Sequence, residues 1–180
     1  YDYTYTIAER VEGSRERASF TTADFVYLIM PDRFANGDPT NDSTDDTVEK
    51  VNRNNPGRRH GGDIQGIIDH LDYIADLGAT AIWSTPLLLD NENGASYHGY
   101  SCSDYYMIDP RYGTNELYCK YVEECHKRGL KVIMDIVPNH SSTTHWWYND
   151  LPFADWVHKW DSYTQSNWTF STNMDFANLR

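Results

Sequence analysis

The sequence of 180 residues predicts an α/β fold built on a parallel sheet, and three observations predict it. Short apolar runs recur at residues 25–30 (F-V-Y-L-I-M), 81–85 (A-I-W-S-T) and 131–137 (K-V-I-M-D-I-V), each bounded by Pro, Gly or polar sequence, as buried strands are. Between them lie two segments with apolar residues at helical spacing. The segments that follow the strands are long and polar, whereas the turns leading back from helix to strand are short.

Residues 1–24 alternate polar and apolar at first and then turn charged (R-V-E-G-S-R-E-R), which reads as a linker or the tail of a preceding domain. The first strand, 25–30, stops at Pro31. Residues 36–59 are almost wholly polar, with Gly, Asn, Asp and Pro throughout, and read as a long surface loop; structureless loops beyond ~12–15 residues are usually functional or disordered. Asp63 is a good N-cap for one helix carrying Ile64, Ile67, Ile68, Leu71, Ile74 and Leu77 on its inner side, closed by Gly78. A strand at 81–85 is stopped by Pro86, and residues 87–113 read as a second long loop, rich in Tyr, Asp and Gly. Thr114 caps a second helix with Glu116 in its first turn, Leu117, Tyr121, Val122 and Cys125 inside, and Lys127, Arg128 and Gly129 at its end. The run 131–137 is almost continuously apolar, as a strand buried on both faces would be.

The order is therefore β-loop-α-β-loop-α-β, which means either a (β/α)8 TIM barrel or a doubly wound sheet. No G-x-G-x-x-G follows any strand, and the contrast between long βα loops and short αβ turns favours the barrel. The expected architecture is the first three βα units of a TIM barrel in residues 25–140. After His140 come His145, Trp146, Trp147, Tyr148, Phe153, Trp156, Trp160, Tyr163, Trp168 and Phe170, without clean periodicity. Residues 141–180 are expected to begin an excursion domain; those rings either pack its helices or present flat faces to sugar C–H surfaces.

Composition narrows the function. A formal charge of -12 argues against nucleic acid and acidic membrane surfaces, both of which select basic patches, and fits a protein acting on neutral molecules. No stretch approaches the ~20 apolar residues of a membrane span, and the first residues do not form a signal peptide. Cys102, Cys119 and Cys125 are odd in number, so at least one thiol is free. Cys119 and Cys125 lie on one helix, point different ways and should not pair.

Two groups of residues carry possible chemistry. Asp135 interrupts an apolar strand, where an unpaired carboxylate is costly; it is either hydrogen-bonded structurally or placed where a barrel opens to substrate. Alternation along the strand puts Asp135, Val137 and Asn139 on one face, with His140 following as the strand gives way to a loop. Asn36, Asp38, Asn41 and Asp42 are closely spaced oxygen donors that Asp63 can join if the loop folds back. Such oxygens either build turns or converge on a hard cation such as Ca2+, though the spacing is not that of an EF-hand.

Four blocks, in order, resemble the first half of an α-amylase-family glycoside hydrolase, nearest to the neopullulanase and cyclomaltodextrinase subgroup that includes Bacteroides enzymes. They are F-V-Y-L-I-M-P-D-R-F-A-N-G-D-P-T-N-D, G-G-D-I-Q-G-I-I-D-H-L-D-Y-I-A-D-L-G, Y-H-G-Y-S-C-S-D-Y-Y-M-I-D-P-R-Y-G and D-I-V-P-N-H. The resemblance implies a Ca2+ ion held by Asn36, Asp38, Asn41, Asp42, Asp63 and the backbone carbonyl of Gly61. It implies that Asp135 organises the centre of the site and that His140 hydrogen-bonds the sugar in the cleavage subsite. Tyr100 would stack on that sugar, with His98 beside it. Retaining glycosidases use two carboxyl groups ~5–5.5 Å apart, and the resemblance places both of them, with a third carboxylate, beyond Arg180. These 180 residues are accordingly expected to be an inactive part of a longer enzyme, with an open sheet edge. The implied substrate is starch, pullulan or a cyclodextrin. A transglycosylase or isomerase on the same barrel, or a non-catalytic carbohydrate-binding or scaffold relative, stays open. Also implied are a periplasmic or secreted location, with a cytoplasmic alternative, and room for a homodimer of the complete enzyme.

Overall fold

The computed structural model describes residues 4, 6–16 and 19–155. Strands β1 (Val26–Ile29), β2 (Ala81–Ser84) and β5 (Lys131–Met134) form a parallel sheet in the order β1-β2-β5, with Val26, Ala81 and Lys131 in register. Register partners in a parallel pair share a face. Ile29 and Ile82 are therefore buried on the same side of the sheet, with Tyr27 and Val132 packed against the same core. Leu28 and Trp83 share the opposite face and are 57% and 38% exposed.

This exposed face corrects one expectation. Lys131, Val132 and Ile133 of β5 are half-buried and Met134 is exposed, so the strand is not buried on both faces among the described residues. Helices cover one side of the sheet; the apolar run is written for two covered sides. The ladder also ends at Met134, so Asp135 stands just past the strand and the alternation argument does not extend to Val137 and Asn139.

Pro31 does more than stop β1. It opens a single-turn helix α1 (Pro31–Phe34), using the position where its missing N–H is no loss. The helix expected from Asp63 to Leu77 is two helices, α2 (Ile64–Asp69) and α3 (Leu71–Asp76). The break is at His70, whose N–H bonds the Ile67 carbonyl in a tightened turn and whose Nδ1 donates to the Gly66 carbonyl across 2.7 Å. Apolar spacing reports a face rather than an unbroken axis. Ile64, Ile67, Leu71 and Ile74 are fully buried despite the kink, whereas Leu77 is exposed.

Residues 87–113 are likewise more ordered than a loop. They hold an antiparallel pair, β3 (Leu88–Leu89) with β4 (Asp104–Ile108), bulged between Leu88 and Leu89. The connection between these strands contains a 3-10 turn, Ser96–His98. Helix α4 (Asn115–Lys127) follows as expected: Thr114 Oγ1 accepts from the Leu117 N–H, and Tyr121 and Cys125 face the core. The 36–59 loop departs from a surface loop at three points, because Thr47, Glu49 and Arg59 are buried. All three cysteines are free; burial pushes the Cys102 and Cys125 thiols up to about 12, and Cys119 is exposed.

Candidate functional site

The loops after β2 and β5 meet above the sheet around Asp135. Its Oδ2 accepts from the Trp83 indole N–H at 3.1 Å and from the Tyr100 hydroxyl at 3.0 Å. Burial first, and then the hydrogen bond and charge of Asp135, push the Tyr100 phenol above its usual range, so the hydroxyl keeps the proton it donates. His140 reaches the same residue from the other side, with Nε2 2.8 Å from the Tyr100 carbonyl. Asn139 Nδ2 lies 3.1 Å from His140 Nδ1. The two contacts together fit an imidazole that carries its hydrogen on Nε2 and accepts the amide on Nδ1. His98 Nδ1 accepts the Tyr100 N–H at 2.9 Å and stands 3.9 Å from Asp90 Oδ2. Asp135, Tyr100, His140 and His98 are thus one connected group.

Gly99 makes the turn between His98 and Tyr100. Its φ of +80° belongs to the left-handed region, and a Cβ there would stand 2.2 Å from the Pro86 carbonyl oxygen. Behind it, buried Asp90 accepts from the backbone N–H groups of Ser101 (3.1 Å) and Glu92 (3.2 Å). Burial nevertheless pushes its carboxyl up to about 7.

Trp83 and Asp90 escaped the reading of the sequence. A tryptophan within a strand run reads as core, and only its register beside the strand that leads to Asp135 gives it a polar partner. The aromatic stretch is partly accounted for. Trp146, Trp147, Tyr148 and Phe153 are exposed, Trp147 stacks on Tyr105, and the buried ring of His145 lies 4.3 Å from the Trp147 ring. Trp156, Trp160, Tyr163, Trp168 and Phe170 lie outside the described residues.

The second group lies beside α1 and α2. Asp63 is buried and its carboxylate is taken up by N–H groups: Gly66 N (2.6 Å) and Gly37 N (3.1 Å) on Oδ1, Asp38 N (2.8 Å) and Asn41 Nδ2 (3.4 Å) on Oδ2. Asp42 accepts from Asn36 Nδ2 at 2.6 Å and from Arg53 Nη2 at 2.8 Å. Gly61, at φ +88°, lies so near that a Cβ would be 2.2 Å from Asp42 Oδ1. The Asp38 carboxylate instead turns to Thr40, so this residue joins the group through its N–H. Among the described residues no three His, Cys, Asp or Glu side chains stand close enough to hold a metal. The side-chain donors are nonetheless oxygens once the Asn36 amide turns, because Asn41 Oδ1 is already buried without a hydrogen-bond partner. An orphaned acceptor on a residue whose amide touches the Asp63 carboxylate fits a hard cation.

A buried charge frame joins the two groups. Arg111 grips Asp109 bidentately (Nε to Oδ1 2.9 Å, Nη2 to Oδ2 2.7 Å) and donates to the carbonyls of Glu49 and Asp90. Burial pushes the Asp109 carboxyl up, but Arg111 and Arg59 outweigh it and hold it below the usual range. Arg59 is fully buried, within 3.8 Å of Asp32 and 3.6 Å of Asp109, with its guanidinium 4.4 Å above the Tyr112 ring.

Compared with known proteins, residues 28–175 match the family described as alpha amylase, catalytic domain. The chain belongs to the α-amylase family. It is 39% identical over 139 residues to a cyclomaltodextrinase from Bacillus sp, covering 73% of this chain and 24% of that protein. It is 38% identical over 138 residues to neopullulanase 2 of Thermoactinomyces vulgaris, covering 73% and 23%. Among solved structures it resembles an Anoxybacillus α-amylase, with TM-score 0.70 and 43% identity over 81% of this chain and 30% of that one. These likenesses imply a TIM-barrel fold, of which the parallel sheet described here is a part. The chain spans about a quarter, or less, of the length of the curated relatives it matches.

Proposed function

We propose that the chain belongs to a retaining α-glucan hydrolase that cleaves α-glycosidic bonds in starch, pullulan or cyclodextrin-type substrates, and that it contributes the first three βα units of the barrel. Residues from 141 onward begin the excursion domain, and the reacting nucleophile and acid come from other barrel strands. The observation that carries the reading is the single hydrogen-bonded group of Asp135, Tyr100, His140 and His98 at the C-terminal ends of β2 and β5, the end where barrel enzymes place their chemistry.

In this reading Tyr100 and Trp83 fix Oδ2 of Asp135, leaving Oδ1 to accept from a sugar hydroxyl. The Tyr100 ring, 39% exposed, supplies a flat face for the sugar. His140 gives its Nε2–H to the Tyr100 carbonyl here, and turning that hydrogen to the sugar's oxygens on binding is the role proposed for it. The preorganised groups favour the charge that develops at the anomeric centre without reorganising during reaction. Ca2+ would be held by oxygens of Asn36, Asn41, Asp42 and Asp63 and by the Gly61 carbonyl, with Asp38 joining once its carboxylate turns from Thr40, and would neutralise the acidic side chains and pin the 36–63 segment. The complete protein is assayed with pullulan, maltotriose and β-cyclodextrin by reducing-end release, and the first product is read by proton NMR. Release of the α-anomer is expected. An initial β-anomer, or no cleavage of any of the three, overturns the proposal.

A further inference from the structure

The turn that carries His98 and Tyr100 has two long backbone hydrogen bonds of its own, from the His98 N–H to the Ala95 carbonyl at 3.4 Å and from the Gly99 N–H to the Ser96 carbonyl at 3.2 Å. The 3-10 turn Ser96–His98 lies between two left-handed residues, Ala95 at φ 58° and Gly99 at φ 80°, and Ala95 alone among the described non-glycine residues has a positive φ. A backbone that an alanine disfavours persists where its surroundings hold it. Here the surroundings are the 36–59 loop. The Ser96 N–H donates to Glu49 Oε2 at 2.8 Å, and the Ser96 carbonyl accepts from Arg59 Nη1 at 3.2 Å. Glu49, Arg59 and Ser96 are all buried. Arg58 Nη1 ties the near end of the turn at the Asn93 carbonyl (2.6 Å) and approaches Glu49 Oε1 at 3.5 Å.

We propose that Glu49 and Arg59 are positioning residues that clamp Ser96 from both sides of its peptide and so place His98 and Tyr100 against Asp135 and His140. This rests on the reading under Proposed function. A charged acceptor on a buried N–H is stronger than a neutral one, and its removal leaves that N–H without a partner. The polar loop thereby holds the sugar-facing turn in place although neither Glu49 nor Arg59 touches Asp135, Tyr100, His98 or His140 in any of these contacts.

The test uses the complete protein with Glu49→Ala, Glu49→Gln and Arg58→Met. Amide hydrogen exchange across 95–101 is read beside kinetics on maltotriose. Glu49→Ala is expected to lose exchange protection at 96–101 and to lower kcat/KM about 100-fold, since misplacement by ~1 Å costs that much. Glu49→Gln, which keeps an acceptor oxygen, recovers most of both. Arg58 is half-exposed, so Arg58→Met keeps the test open should Glu49→Ala not fold, and a smaller loss in the same direction is expected. Wild-type protection and wild-type kcat/KM in Glu49→Ala, or in Arg58→Met if Glu49→Ala does not fold, overturn the clamp. If the unmodified protein cleaves nothing while Glu49→Ala loses protection at 96–101, the clamp stands and the hydrolase reading falls.

Discussion

Tyr100 gives its hydroxyl hydrogen to Asp135 Oδ2 across 3.0 Å, while its own carbonyl holds His140 Nε2 at 2.8 Å. One residue therefore links the loop after β2 to two residues after β5, by side chain and by backbone independently. The two links are separable by mutation.

Tyr100→Phe keeps the ring and the carbonyl and deletes only the bond to Asp135. A hydrogen bond to a charged group is worth ~1.5–3 kcal/mol, so kcat/KM on maltotriose is expected to fall by about 10- to 100-fold. The half-exposed position predicts a small change in melting temperature. A variant with unchanged kcat/KM would mean that Asp135 needs no orienting partner.

Asp90 gives a pH dependence whose sign follows from its raised carboxyl. The folded state holds this proton up to about pH 7, and the unfolded chain releases it near 3.8. Below about pH 4 both states are protonated and the group is neutral towards stability. Between there and about pH 7 the native state binds more protons, so stability falls as pH rises, and above about pH 7 the loss is complete. Asp109, held low by Arg111 and Arg59, acts in the opposite direction, so the contribution is isolated as a difference. The urea stability of wild type minus that of Asp90→Asn, followed from pH 4 to 8, should decline across this window. A flat difference would show that Asp90 is charged throughout.

These relationships differ in how far the sequence foretold them. The Thr114 cap, the Asp63 cap and the buried faces of α2, α3 and α4 were legible because each is set by residues three or four apart. The kink at His70 was not, since a histidine that bonds the Gly66 carbonyl looks the same in sequence as one that faces water. Strand β3 has two residues, too few to show a period. The oxygen donors around Asp42 and Asp63 were named from their spacing and resemblance, yet the same spacing left the Asp38 carboxylate closing on Thr40. Glu49 sat in an apparently solvated loop because its partner Ser96 is 47 residues away, and periodicity carries no signal over that distance.

Metal removal is a test of the 36–63 segment. The Asp42 carboxylate leans on Arg53 and the Asn36 amide, and a cation at the proposed site would offset its charge. Titrating Ca2+ into chelator-treated complete protein is expected to raise the melting temperature by several degrees, as binding to the native state alone must. Asp42→Ala should abolish the gain without altering the curve in chelator by a comparable amount. Identical melting curves with and without Ca2+ would remove the site.

His140→Ala should cost turnover more than folding, and the reason lies in how its backbone is held. The Tyr105 hydroxyl sits 2.8 Å from the His140 carbonyl and 2.9 Å from that of Val137, so the loop after β5 keeps its course when the imidazole is deleted. What goes is the Nε2–H on the Tyr100 carbonyl, a single neutral hydrogen bond worth about 1 kcal/mol of stability. If that N–H passes from the Tyr100 carbonyl to the sugar on binding, as proposed, its loss costs about 100-fold or more in kcat. Urea denaturation and kcat measured on one preparation separate the two. If the variant loses several kcal/mol while the folded fraction turns over at the wild-type rate, the histidine serves the fold and the sugar is held by other groups.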